Sequence, residues 1–102
     1  MSLARHPKKL LVIVAEAALE KVLVRDARER GAQRWTVAEV HGAGVEGVRE
    51  GAWEADRTIE LKLICDAAVA EAIAEHVIAR YAANYAVALY FADVQVVRPD
   101  RF

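Results

Sequence analysis

Thr58-Ile59-Glu60-Leu61-Lys62-Leu63-Ile64 alternates apolar and polar side chains without a break. Ile59, Leu61 and Leu63 face one way along an extended chain, and Thr58, Glu60 and Lys62 face the other. The stretch therefore predicts a half-buried strand. The period changes just after it. Asp66 is suited to cap a helix by accepting a hydrogen bond from a free amide. Val69, Ala70, Ile73, Ala74, Val77, Ile78 and Tyr81 then recur at helical spacing on one face, with Glu71, Glu75 and Arg80 off it. Ala82-Ala83-Asn84 closes that helix. A last strand is expected over 86–97, where Val87, Leu89 and Phe91 alternate early. Pro99 stops it, because proline has no amide to give to a ladder.

Working upstream, Gly42, Gly44, Gly47 and Gly51 are four of the chain's five glycines, and they crowd into ten residues. The segment has neither a helical nor a strand period and reads as a long flexible loop, a feature that compact domains mostly keep for function. Before it, Trp35, Thr36, Val37 and Val40 favour a strand over 34–41. Its facing is ambiguous, because Trp35 and Val37 share a side with Glu39 and His41. Residues 17–30 predict a helix with Leu19, Val22, Leu23, Asp26 and Ala27 on one face, Asp26 being the polar exception. Glu16 and Glu20 stand near its start and Arg28 and Arg30 near its end, as the helix dipole prefers. Gly31 suits the left-handed turn that ends it. Leu10-Leu11-Val12-Ile13-Val14 is a strand buried on both faces. Residues 1–8 read as a short frayed leader, so that 1–102 form a single domain.

The order β-α-β-loop-β-α-β predicts an α+β, ferredoxin-like βαββαβ fold: a four-stranded antiparallel sheet with both helices on one face. Two helices leave the other sheet face bare. The strands are too apolar for a wet face, so a homo-oligomer is expected.

Composition narrows the function. The chain has 102 residues, 56% of them in the hydrophobic set, which suits a globular domain and not a disordered one. Its 14 Lys and Arg against 15 Asp and Glu give a net charge of −1, which demotes nucleic-acid binding. One cysteine, Cys65, makes no internal disulfide, and a reducing, cytoplasmic setting is expected. The longest apolar run, 85–92, is far short of the ~20 residues of a membrane span.

Gly31-Ala32-Gln33-Arg34-Trp35-Thr36-Val37-Ala38-Glu39-Val40-His41-Gly42-Ala43-Gly44 resembles the Gly-x-x-Gly-x-Thr-Val-x-Glu-Val-x-Gly-x-Gly stretch that introduces the T-loop of PII signal-transduction proteins. One family glycine is replaced, by Arg34. The element order matches from end to end. The segment Gly47-Val48-Arg49-Glu50-Gly51-Ala52-Trp53-Glu54-Ala55-Asp56-Arg57, with a short T-loop taken as 42–54, resembles the carboxysome-associated PII-like branch more than the nitrogen-sensing branch. The resemblance implies a trimer that binds adenine nucleotides in clefts between subunits and that signals rather than catalyses. For that branch it also implies bicarbonate as a second ligand and a partner in inorganic-carbon handling, such as a bicarbonate transporter or a carboxysome-related protein. No cofactor or metal is implied. The family's Gly- and Lys-bearing loop before the last strand is here Tyr81-Ala82-Ala83-Asn84-Tyr85-Ala86-Val87-Ala88-Leu89. With no glycine to let amides close on phosphate and no lysine to add charge, ADP or AMP is expected rather than ATP. The T-loop also has no tyrosine or serine, so the modification known in nitrogen-sensing members has no acceptor there.

On this resemblance the nucleotide site would draw on Thr36 near the adenine, Gly42 and Gly44 for close backbone approach, and Arg57, Arg98 and Arg101 for phosphate, which arginine grips bidentately. Arg49, with the amides of Gly47 to Gly51, would hold bicarbonate. The alternative for each arginine is a solvated surface charge. Trp53 either docks on a neighbour or covers the end of the sheet. Glu39 and His41 share a strand face, but two ligands do not make a metal site. Cys65 is expected to be buried and structural, and no nucleophile–base arrangement stands out. Two other readings remain open: a metal-handling trimer of the same fold, and a small ferredoxin-like enzyme such as a dimeric cofactor-free monooxygenase.

Overall fold

The computed structural model of the chain describes residues 3–41, 43–44, 47–48 and 57–102. The elements are β1 (His6–Glu16), a 3-10 turn (Ala17–Leu19), α1 (Glu20–Glu29), β2 (Trp35–Val40), β3 (Ala43–Gly44), β4 (Gly47–Val48), β5 (Thr58–Cys65), α2 (Ala67–Tyr81), β6 (Ala88–Val96) and a second 3-10 turn (Pro99–Arg101). Four strands form one antiparallel sheet in the order β2-β5-β1-β6. This is the ferredoxin-like α+β arrangement, with β1 and β5 central and β2 and β6 at the edges.

The alternation of β5 sets the register of the core. Leu61 lies opposite Ile13 and Leu63 opposite Leu11, and all four are fully buried. They meet Leu19, Leu23 and Ala27 of the first helical region and Ala70, Ile73, Ala74, Val77 and Tyr81 of α2. Trp35, Val37, Val87 and Leu89 pack at the margin of this cluster, which settles the facing of β2. Ile78, expected on the apolar face of α2, is instead 52% exposed. It sits at the rim of the face, one residue beyond Val77, where the helix turns towards solvent.

The other sheet face carries no helix. Val12 lies opposite Tyr90 across β1 and β6 and opposite Lys62 across β1 and β5, and Leu10 lies opposite Ala92 and Ile64. Tyr90 is 52% exposed there. Apolar side chains of β1 and β6 therefore meet on the uncovered face beside Glu60 and Lys62 of β5, with Val12 buried and Tyr90 exposed.

Several boundaries differ from the sequence-based expectation. His6-Pro7-Lys8, read as part of a frayed leader, pairs with Val94 to Val96. Pro7 fits because β5 begins to pair with β1 only at Lys9, so the proline needs partners on one side alone. The charges of this end are matched: Lys8 Nζ lies 2.6 Å from Asp66 Oδ1, and Lys9 Nζ lies 2.5 Å from Asp93 Oδ1, directly across the strand pair. Asp66 does hold the N-cap position of α2, but its side chain makes no cap hydrogen bond. The carboxylate is drawn to Lys8 instead. The first helical region opens as a 3-10 turn before becoming α-helical at Glu20. Gly31 closes it at φ +111°, in the left-handed region expected of it. Most of the loop over 42–54 lies outside the described residues. Within it, β3 and β4 pair as a two-residue ladder, Gly44 opposite Gly47.

Candidate functional site

Two cross-strand pairs on the uncovered face, Thr36 with Lys62 and Leu10 with Ile64, form the floor of a recess at one end of the sheet. Arg34, Trp35 and Phe102 complete its walls, around a cavity of about 210 Å³. Whole small-molecule sites run to about 300–1,000 Å³. This recess is therefore the size for one flat ring system, with the rest of a ligand outside it. Leu10, Ile64 and Phe102 give it an apolar lining, and Arg34 and Lys62 place two cations at its mouth. Lys62 Nζ is partly neutralised by Glu60 Oε1 at 3.2 Å. The Arg34 guanidinium faces the Phe102 ring, 6.0 Å from its centroid, at the outer range of a cation–π contact. The arrangement suits an aromatic base that carries an anionic tail.

The chain brings its end to this recess by crossing the end of the sheet. After β6, on the far edge, Arg98 starts the 3-10 turn. Its carbonyl accepts from the Arg101 amide at 3.1 Å, and the Pro99 carbonyl accepts from the Phe102 amide at 3.2 Å. Thr36 and the turn bearing Arg98 and Arg101 are thus gathered at one end of the sheet, with both arginines exposed.

Of the remaining expected residues, Arg57 lies at the other end. Val40 is opposite Thr58, four residues along β2 from Thr36, so about 13 Å separates the two ends of that strand. Arg57 stands just before β5. Its guanidinium pairs with the Glu39 carboxylate, and its carbonyl accepts the Ala17 amide at 2.8 Å. Gly44 and Gly47 pair with each other in the hairpin. Gly42, Arg49 and Gly51, expected at phosphate and bicarbonate, lie outside the described residues, as does Trp53. Pairing with Arg57 also engages Glu39, the carboxylate of the Glu39 and His41 pair. Among the described residues, no group of three or more His, Cys, Asp or Glu is placed to hold a metal ion.

A second polar constellation links the helices. Asp26 of α1 is 4% exposed, the one buried charged residue among those described. Its Oδ1 accepts from Arg25 Nε and Nη2 at 3.2 and 3.0 Å. Its Oδ2 accepts from the Tyr81 hydroxyl and lies 3.0 Å from His76 Nε2. Arg30 donates to the Asp26 carbonyl at 3.0 Å and lies 2.8 Å from His76 Nδ1. Because a guanidinium only donates, Nδ1 must accept, which puts the imidazole proton on Nε2, towards Asp26. Burial pushes the Asp26 carboxyl up, but the bonds from Tyr81, His76 and Arg25 outweigh it and hold the group below its ordinary range. Burial, then Asp26, pushes the Tyr81 phenol up. Cys65 is buried, and burial raises its thiol as well.

Of the residues expected at the nucleotide, Thr36 lines the recess, beside Leu10, Arg34, Lys62, Ile64 and Phe102, which were not expected there. The signal for Arg34 was its departure from the glycine of the resembled motif. For Asp26 it was a carboxylate on an otherwise apolar helix face. His76 carried no such signal, since its partners lie 46 and 50 residues away.

A ferredoxin-like sheet with one helical face, one bare face and a ring-sized recess at the strand ends describes a class of small ligand-binding oligomer domains. Within that class, the chain belongs to the PII family: the model for nitrogen regulatory protein P-II matches residues 8–101. A PII-like signalling protein of Thermus thermophilus is similar at 36% identity, over 98% of this chain and 99% of that one, with a TM-score of 0.85. CPII, a nitrogen regulatory PII-like protein of Thiomonas intermedia K12 solved with ADP, AMP and bicarbonate, shares the fold at 23% identity over 99% of this chain and 98% of that one, with a TM-score of 0.87. A DUF3240-family protein of Shewanella baltica is more distant, at 17% identity over 89% of each chain and a TM-score of 0.65. No curated protein matches the chain. It is accordingly a PII-like regulatory protein. No described helix is long and apolar enough to cross a membrane.

Proposed function

We propose that the chain is a cytoplasmic, homotrimeric sensor. It binds ADP or AMP between subunits and bicarbonate at the glycine-rich loop, and it regulates a partner in inorganic-carbon uptake or carboxysome function. The recess around Thr36 carries the reading. It is apolar at its base and cationic at its mouth, and it opens on the bare sheet face, where a second copy would close it. Among the described residues its lining is apolar, hydroxyl-bearing or cationic, which suits binding of a ring with an anionic tail. The exposed Tyr90 ring on the bare face supports burial against further copies. The complexes of CPII with ADP, AMP and bicarbonate support the choice of ligands.

In this reading the base sits by Thr36 and the phosphates point along β2 towards Gly42 and Gly44. Arg57, Arg98 and Arg101 supply charge from the same or a neighbouring subunit, and Arg49 with Gly47 and Gly51 holds the bicarbonate. Ordering a glycine-rich segment costs backbone entropy. Two anions offset that cost, and the ordered loop then presents or hides a surface to the partner. Isothermal titration with AMP and with ADP, each with and without bicarbonate, tests this reading. Saturable heat that changes when bicarbonate is present supports it; no heat with either nucleotide under both conditions ends it.

A further inference from the structure

Arg34 replaces the glycine of the resembled motif, and the structure gives that replacement a consequence. A glycine there would leave the recess with one wall of bare backbone. Arg34 instead reaches across its mouth to the ring of Phe102, 6.0 Å away. The two side chains line the recess together with Leu10, Thr36, Lys62 and Ile64. Both present flat π-faces, and both remain partly accessible. A planar guanidinium and a phenyl ring stack on any aromatic heterocycle without regard to its hydrogen-bonding edge.

Resting on the nucleotide reading above, we propose that Arg34 and Phe102 form a stacking clamp on the base, which leaves Lys62 as the mouth cation that faces the phosphates. The 3-10 turn fixes one jaw, since the Phe102 amide is bonded to the Pro99 carbonyl. Position 34, directly before β2, fixes the other. The clamp thereby takes over part of the affinity that a glycine- and lysine-bearing phosphate loop would supply, and which the 81–89 segment lacks.

The test compares wild type with Arg34→Gly, Arg34→Lys and Phe102→Leu by titration with AMP and with ADP. Phe102→Leu keeps apolar bulk and loses the π-face; Arg34→Lys keeps the charge and loses the plane. Each variant is expected to weaken AMP and ADP about tenfold and by equal factors, because base stacking is common to both ligands. Unchanged light scattering and thermal melting show that the chains still fold and assemble. Hydrogen exchange at the Arg101 and Phe102 amides is expected to speed up in Arg34→Gly even without nucleotide, which reads the pairing apart from binding. Variants that bind both nucleotides within twofold of a binding wild type overturn the clamp alone. A loss confined to the Arg34 variants and larger for ADP than for AMP makes Arg34 a phosphate contact and also overturns it. A wild type that binds neither nucleotide overturns the nucleotide reading, and the clamp with it.

Discussion

His76 Nε2 of α2 lies 3.0 Å from Asp26 Oδ2 of α1, and Tyr81 donates its hydroxyl to the same oxygen. One carboxylate oxygen thus ties two helices that cross the same sheet. Arg25 holds the other oxygen, and Arg30 reaches past Asp26 to the far side of the imidazole. Every buried side-chain nitrogen and oxygen among the described residues has a partner, so the cluster leaves no polar group stranded.

Removing the shared acceptor strands its donors. Asp26→Ala is expected to destabilise the fold by about 3 kcal/mol, because the Tyr81 hydroxyl and His76 Nε2 then lose their buried partner. Asp26→Asn keeps one acceptor oxygen and is expected to cost less. Urea unfolding followed by circular dichroism checks both, and a loss under about 0.5 kcal/mol for the alanine variant would contradict the assignment.

The same cluster fixes the sign of the pH dependence. The folded Asp26 carboxyl lies below its ordinary value, so its stabilisation is present above about pH 4 and is lost as the pH falls through the folded value. The Tyr81 phenol is raised, so its contribution is present below about pH 10 and is lost as the pH rises through the folded value. Unfolding free energy against pH is expected to show a plateau with an acid and an alkaline shoulder. Asp26→Ala is expected to shrink the acid shoulder and Tyr81→Phe the alkaline one.

Cys65 is 2% exposed and its thiol is pushed up by burial, so it is a poor nucleophile in the native fold. Iodoacetamide at pH 8 is expected to leave native protein unmodified over an hour and to label it fully in denaturant. Intact-mass measurement distinguishes the two. Prompt native labelling would place the thiol at the surface.

Tyr90 lies opposite Val12 on the bare face and is half exposed in the single chain. Tyr90→Glu puts a charge onto the face that further copies would cover, and it is expected to turn the trimer into a monomer by light scattering while retaining the native circular dichroism. Glu71→Lys, exposed on α2, is expected to leave assembly unchanged. Equal masses for wild type and both variants would contradict assembly through this face.

The sequence made the fold legible wherever periodicity was clean. The alternation of Thr58 to Ile64 gave both the strand and its buried face, and Gly31 marked the helix end where a positive φ was needed. What stayed hidden depended on partners distant in sequence. Asp66 has the ordinary form of a helix cap, yet Lys8, 58 residues away, takes its carboxylate. His6, Pro7 and Lys8 resembled a loose end because their pairing with β6 is a tertiary fact. At the site, Thr36 followed from the motif, but Phe102 joins it only because the chain crosses the sheet end after β6. Arg57, expected at phosphate, pairs with Glu39 across the β2 and β5 ends, a contact that no local pattern announces.

Everything proposed for function depends on an adenylate seated at Thr36. The most direct measurement is a crystal structure of the protein grown with ADP and bicarbonate. Three chains around one axis are expected, with the base against Leu10, Thr36 and Ile64 of one chain and the phosphates in contact with a second chain. A recess filled by side chains alone, with ADP absent or bound elsewhere, would contradict it.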